Sequence, residues 1–322
     1  MQALVLHAVG QPLELSEVPA PLPAKGQALV EIRAAALNHR DVYITKGQYA
    51  GIQLPCILGS DGAGEYRGRR VLIFPSLDWG DDPRVQGRQF RVLGMPDNGT
   101  FAEQICVPRT HIQPVPEHLT WEEAGALPLA GLTAWRTLMT RCQLKKGERV
   151  LISGIGGGVA LTALQLAVAA GAEVFVTSGS DEKIEKAVRL GAKSGANYRT
   201  AGWDKLLKTQ SGGGFDVVVD SAGGDGFAAF AGLCNPGGRI GIYGGSLGRI
   251  NGLSPQIIFW KQLSILGSSM GTARDFRQML AFVTRHAIRP VVDSVFSLAE
   301  GNAAMQRMDE GAQFGRVVLR VG

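Results

Sequence analysis

A chain of 322 residues exceeds what one typical hydrophobic core organises, so two domains are expected, each with a large buried area. Hydrophobic residues at 45% and charged residues at 19% describe an ordinary soluble globular protein, and 44 glycines point to many tight turns near a ligand. The four cysteines, Cys56, Cys106, Cys142 and Cys234, lie far apart without C-x-x-C spacing, which argues against a structural zinc lobe or a disulfide framework and fits a reducing cytoplasm.

The opening Met1-Gln-Ala-Leu-Val-Leu-His-Ala has no basic segment followed by a long apolar one, so no signal peptide is expected. Residues 1–120 read as a β-rich domain, with short strand-like runs at Ala3–His7, Ala28–Ala34, Arg70–Phe74 and Phe101–Val107 between Pro and Gly clusters. Gly59-Ser-Asp-Gly-Ala-Gly64 looks like a turn entering a strand, and Asp78–Asn98 reads as a polar surface loop without structure. From Trp121 the texture turns helical.

Residues 149–178 read as strand, glycine turn, helix and second strand, which is half of a dinucleotide site. Val150–Ile152 is an apolar run of strand length, Val159–Ala170 an uncharged helix, and Gly171 its C-cap. The glycines Gly154, Gly156, Gly157 and Gly158 depart from a literal G-x-G-x-x-G. The register Gly154, Gly157, Ala160 supplies the tight turn, the close backbone approach to a pyrophosphate, and the small residue for helix-to-strand packing. Phosphate would sit at the helix N-terminus, at Gly158 and Val159, where unpaired amides and the helix dipole favour an anion. Residues 150–172 carry no charge and approach the length of a membrane span, but five glycines and a helical part of about a dozen residues argue for a helix packed on a sheet.

The rhythm that follows, with strands at 149–153, 173–178, 195–198, 215–220, 238–243 and 263–267, is that of a doubly wound sheet. Strand C-terminal ends line the crevice of such a sheet, which puts Asp220, Ser221, Gly223, Gly244 and Gly245 near a cofactor. The net charge is +5, and residues 181–210 hold seven Lys or Arg against four Asp or Glu. Nucleic acid would be one explanation of that stretch. Its place after the second strand explains the charge through a nucleotide phosphate and a solvated helix face instead. No acid stands about 20 residues beyond the glycine turn to hold a ribose 2′-hydroxyl; Thr177-Ser-Gly-Ser180 stands there. Asp181 is a displaced ribose acid or a first-turn acid stabilising a helix. Residues 271–322 read as a helix (Arg274–Arg285), a strand-like run (Val291–Phe296), another helix and a closing strand (Arg316–Val321).

Together with this order of parts, the motifs Ala36-Leu-Asn-His-Arg-Asp-Val-Tyr43, Leu58-Gly-Ser-Asp-Gly-Ala-Gly64, Gly99-Thr-Phe-Ala-Glu103 and Ala130-Gly-Leu-Thr-Ala-Trp135 make the chain resemble the medium-chain dehydrogenase/reductase superfamily. The resemblance implies an α/β protein of two domains. A β-rich chaperonin-10-like catalytic domain would comprise residues 1–125 and 271–322, and a doubly wound Rossmann domain would be inserted at 126–270. Zinc-dependent alcohol dehydrogenases of that superfamily place metal ligands where this chain has Asn38, Ser60 and, nearby, Ala130, none of which suits catalytic zinc. Asp41 is expected to be a buried acid ordering its loop, and His39 a structural or pocket-wall residue.

Loss of the zinc ligands, with Asn38-x-x-Asp41-x-Tyr43 and Tyr49, moves the resemblance to the zinc-free quinone oxidoreductase branch. That branch implies NADPH as cofactor and a quinone or α,β-unsaturated carbonyl as substrate. It places Asn38, Tyr43, Tyr49 and Thr133 around the nicotinamide and substrate, with Asn38 and Tyr43 the candidates for stabilising an oxyanion. Ser178, Lys183 and Tyr198 match positions that hold the 2′-phosphate. The alternatives are an enoyl-thioester reductase and a catalytically silent NADPH-binding protein. No metal, nucleic acid or membrane partner is expected, and a homodimer is expected through the sheet edge near residues 250–268, where Ile257-Ile-Phe-Trp260 and Leu263-Ser-Ile-Leu266 are apolar.

Overall fold

The computed structural model describes residues 1–322. The chain forms two compact units, Met1–Leu132 with Gly271–Gly322, and Thr133–Met270. The first boundary falls later than residue 125 because the chain up to Leu132 packs with the C-terminal segment: Gly131 lies against Met279, and Gly271 against Leu132.

In the first unit the strand Gln27–Ala36 is the hub, pairing antiparallel with Asp61–Tyr66, Gln104–Pro108 and Arg316–Arg320. Its alternate residues Ala28, Val30 and Ile32 are buried, as a period of two requires when one face meets a core. That core joins Leu4, Leu6, Leu58, Phe101 and Leu319. The register slips between Ile32 and Ala34, and opposite the slip a Cβ on Gly64 would come within 2.0 Å of the Glu31 carbonyl oxygen, so only glycine fits. The closing strand delivers Arg316 to the end of the hub, where Leu37 N donates to Val317 O at 3.0 Å.

Asp78–Asn98 is not structureless. Ser76–Leu77 pairs with Arg91–Val92, and Trp79, Leu93 and Met95 are buried, so a few widely spaced apolar residues anchor a polar stretch. The helix Ala273–Arg285 buries Phe276, Met279, Leu280 and Val283 on one face, and Thr272 and Asp275 close its N-terminus as a capping box.

The second unit is a six-stranded parallel sheet in the order Ser194–Asn197, Glu173–Ser178, Arg149–Ile152, Phe215–Asp220, Cys234–Ile242, Ser264–Gly267. Val150, Leu151, Ile152, Val217, Val218 and Val219 are fully buried, as expected of central parallel strands covered on both faces. The strand order reverses between Arg149–Ile152 and Phe215–Asp220, and ligands of such sheets bind where it does. No helix is long and apolar enough to cross a membrane.

Candidate functional site

In the first unit, candidate residues gather around the helix His39–Thr45. Asp41 closes its first turn: the carboxylate Oδ2 accepts from Asn38 N at 2.8 Å. Asp41 is fully buried, its Oδ1 has no partner, and burial raises its pKa to about 6 against the nearby Arg40 charge. This is the loop-ordering acid the sequence suggests.

Asn38 lies at the centre of a second network. Its Nδ2 donates to Asp61 Oδ2 at 2.9 Å and, at 3.4 Å, to Ala36 O, while its Oδ1 accepts from Arg316 Nη1 at 2.9 Å. Arg316 Nη2 pairs with Asp61, and Asp61 Oδ1 accepts from Leu129 N at 2.5 Å. Burial pushes the Asp61 carboxyl upward, opposed first by Arg316 and then by these donors. Asn38 therefore spends its amide inside the protein and has no donor left for a substrate oxyanion. That corrects the role expected for it and leaves it a positioning residue. Tyr43, one turn on, is half-buried, and its hydroxyl makes no hydrogen bond within the chain; its ring lies 6.4 Å from that of exposed His39. Tyr49, at 36% exposure, lies beneath a cation, with Arg40 Cζ 5.1 Å from its ring centroid.

Arg40 gives no signal in the sequence, although it stands between His39 and Asp41. Its Nη1 donates to Ser60 Oγ at 2.6 Å and to Leu93 O at 2.9 Å, and its Nη2 to Met95 O at 3.4 Å. Nowhere does the chain assemble three or more His, Cys, Asp or Glu side chains able to hold a metal ion.

In the second unit the glycine turn follows Ile152 directly. Gly154 (φ 63°) and Gly156 (φ 132°) take backbone angles that favour glycine. Gly157 caps the helix Gly158–Ala169, and a Cβ built on it would meet nothing within 4 Å, so the space before the helix amides is open. Gly158 and Val159 form the first turn and are half-buried. The turn is sewn to the second strand by Ile155 N donating to Thr177 O at 2.7 Å and Gly154 N to Thr177 Oγ1 at 3.2 Å.

Beyond that strand, Tyr198 and Arg199 converge over Gly179, where a Cβ would come within 2.8 Å of the Tyr198 hydroxyl and 2.9 Å of Arg199 Nε. The Lys183 side chain lies over Gly156, its Nζ 3.4 Å from where a Cβ would be. A phenol, a guanidinium and an ammonium thus surround two positions kept free of side chains. This cradle suits the phosphates of a dinucleotide, whose nicotinamide supplies or accepts a hydride when bound. Ser178 does not join them. It is 3% exposed at the buried end of its strand, where its Oγ donates to Ile155 O and accepts from Ser180 N, so it shapes the turn from within. Asp181 is held by Asn197 Nδ2 at 3.1 Å in the first turn of Asp181–Arg189, the helix-stabilising position.

At the switch point, fully buried Asp220 accepts from the Ser153 hydroxyl, from Gly223 N at 2.8 Å and from Ala222 N at 3.2 Å, tying the two central strands together. Gly244 packs on Ser221, where a Cβ would come within 2.7 Å of the Ser221 carbonyl oxygen. Thr133 is 5% exposed, and its carbonyl accepts from the Thr137 hydroxyl at 2.8 Å.

Two family descriptions match this chain: "Alcohol dehydrogenase GroES-like domain" over residues 24–117 and "Zinc-binding dehydrogenase" over residues 158–285. The zinc-type alcohol dehydrogenase-like protein YogA of Leptosphaeria maculans is 33% identical, with 96% of this chain and 95% of the relative covered. The crystal structure of an NAD-dependent alcohol dehydrogenase superposes with a TM-score of 0.95 at 36% identity, with both chains fully covered. The quinone oxidoreductase of Thermus thermophilus, solved also with NADPH, gives 0.84 at 29% identity over 99% of this chain and 100% of that one. The chain belongs to the medium-chain dehydrogenase/reductase superfamily, with a GroES-like domain and a Rossmann-like domain. It is an oxidoreductase that works with a nicotinamide cofactor.

Proposed function

We propose that the protein is a zinc-independent reductase that passes a hydride from NADPH to a quinone or an α,β-unsaturated carbonyl. The observation that carries the cofactor choice is the grouping of Lys183, Tyr198 and Arg199 around Gly156 and Gly179. Two cations and a phenol suit the charge and the acceptor oxygens of a 2′-phosphate better than they suit a neutral ribose hydroxyl.

The acceptor follows from the donor set of the first unit. An amide, a hydroxyl and a methyl group at Asn38, Ser60 and Ala130 offer no thiolate, imidazole or carboxylate for zinc. Without a Lewis acid, the acceptor must already be electrophilic, and the protein's task is to orient it and to stabilise the oxyanion that forms. Tyr43 is the donor this reading uses, and the proton that completes reduction comes from water.

Steady-state kinetics of Lys183→Ala test the cofactor assignment. A lost charge-assisted contact is worth roughly 1.5 to 3 kcal/mol, so the KM for NADPH should rise about ten- to a hundredfold while that for NADH barely changes. Equal losses with both cofactors would refute it. Elemental analysis of purified protein should find no stoichiometric zinc; about one zinc per chain with chelator-sensitive activity would overturn the metal-free reading.

A further inference from the structure

We propose that Arg40 is the oxyanion receptor of the substrate site, a guanidinium that holds the oxygen on which negative charge develops. The inference rests on the reduction proposed above and adds to it a residue that gives no signal of its own in the sequence.

The partners of Arg40 point to this role. They are one hydroxyl and two backbone carbonyls, all neutral: Ser60 Oγ at 2.6 Å, Leu93 O at 2.9 Å and Met95 O at 3.4 Å. Ser60 is itself fully buried and donates to Leu93 O at 2.7 Å, so hydroxyl and carbonyl form a fixed seat for one edge of the guanidinium. Arg40 feels Asp41 and Asp61 through space, but it pairs with neither: Asp41 accepts from Asn38 N, and Asp61 is taken by Arg316. No carboxylate touches this half-buried guanidinium directly, so an arriving anion would complete an ion pair that the chain leaves open.

A guanidinium has five N–H donors in a planar fork. The three bonds above use both hydrogens of Nη1 and one of Nη2, while Nε is buried without a partner. One Nη2 hydrogen is therefore unspent, on a side chain that lies over the ring of Tyr49 and shares the first turns of one helix with Tyr43. In the reduction, the acceptor gains two electrons and one hydrogen nucleus as hydride, and the cofactor is oxidised from NADPH to NADP⁺. The electron pair displaced from the carbonyl or quinone π system comes to rest on oxygen. Arg40 holds that oxyanion until a proton from water converts it to hydroxyl or, through the enol, to the saturated ketone.

Fluorine NMR titration of pentafluorophenolate, a stable oxyanion at neutral pH, tests this directly, with its uncharged methyl ether as control. The full-length protein should bind the phenolate in preference to the ether. Arg40→Met should weaken the phenolate about ten- to a hundredfold and leave the ether and the NADPH dissociation constant unchanged. Arg40→Lys keeps the charge but loses the fork and should fall between; it also decides the matter if thermal melting shows the Met variant unfolded. Phenolate binding as tight in the variants as in the native protein, or equal binding of phenolate and ether, overturns the proposal. Should the native protein bind phenolate through Arg40 yet reduce neither quinones nor enones, the reduction fails and the anion site stands. Should the variants reduce quinones at the native kcat with phenolate binding intact, the reduction stands and Arg40 is only a brace for the Leu93–Met95 segment.

Discussion

The two units build their sites in opposite ways. Around the glycine turn, the cradle is made of backbone and of side chains within two consecutive βαβ units that share their middle strand: Gly154 to Val159, then Gly179, Lys183, Tyr198 and Arg199. Around the helix His39–Thr45, residues from distant parts of the chain converge: Asn38 and Arg40, Ser60 and Asp61, Leu93, Leu129 and Arg316. A site of the first kind has its positions fixed by local turns and tolerates loss of one side chain. A site of the second kind is a network of buried polar groups in which each partner satisfies another, so one deletion strands several.

That contrast predicts its largest effect at Arg316. Arg316→Met would leave the buried Asp61 carboxyl and the Asn38 carbonyl oxygen without their partner, and breaking a buried pair costs roughly 3 to 5 kcal/mol. Chemical denaturation should show a loss of that order, whereas Lys183→Ala in the other unit should cost under about 1 kcal/mol of stability. Similar losses at the two positions would erase the distinction. Tyr43→Phe comes next: one lost oxyanion donor should lower kcat by roughly ten- to a thousandfold, with the NADPH dissociation constant unmoved. An unchanged kcat would make Tyr43 a packing residue.

The buried Asp41 gives the first unit a pH signature. Its folded pKa, raised by burial to about 6, lies above the ordinary 3.8, so the folded state favours the protonated form. The stability it contributes is full below about pH 4 and is lost as pH rises through 6. Asp41→Asn should flatten the fall of stability between those values, and an unaltered pH profile would show that Asp41 does not titrate there. The smallest expected effect is on assembly. We propose that the protein dimerises through the sheet edge of the second unit, where Trp260 is 79% exposed and Phe259 51%, beside the edge strand Ser264–Gly267. Trp260→Glu should shift the mass measured by light scattering from dimer toward monomer while kcat stays within about twofold; a monomeric native protein would remove the proposal.

Legibility in the sequence divides along the same line between the units. The strands of the parallel sheet, the helix after the glycine turn and the amphipathic helix Asp181–Arg189 follow from local periodicity, which a sequence displays directly. The glycine turn is legible for the same reason, whereas Lys183, Tyr198 and Ser178 come from the family resemblance alone, which does not show that Ser178 is buried, since that depends on which face of the strand meets the core. In the first unit, the motif singles out Asn38 but not its role, because the partners that occupy its amide lie 23 and 278 positions away. Arg40 sits inside that motif and gives no signal of its own, since its meaning comes from Ser60 and from the carbonyls of Leu93 and Met95. Those carbonyls belong to the segment Asp78–Asn98, whose polar composition conceals the buried Trp79, Leu93 and Met95.

The central claim is that this oxidoreductase spends NADPH on an electrophilic acceptor without a metal. Initial rates of cofactor oxidation, recorded with a simple quinone on chelator-treated protein and with NADPH and NADH compared at equal concentration, address it most directly. Full activity should survive chelation, and kcat/KM for NADPH should stand at least about tenfold above that for NADH, the worth of about 1.4 kcal/mol at the phosphate cradle. Activity that vanishes with chelation and returns with zinc, or a preference for NADH, would contradict it.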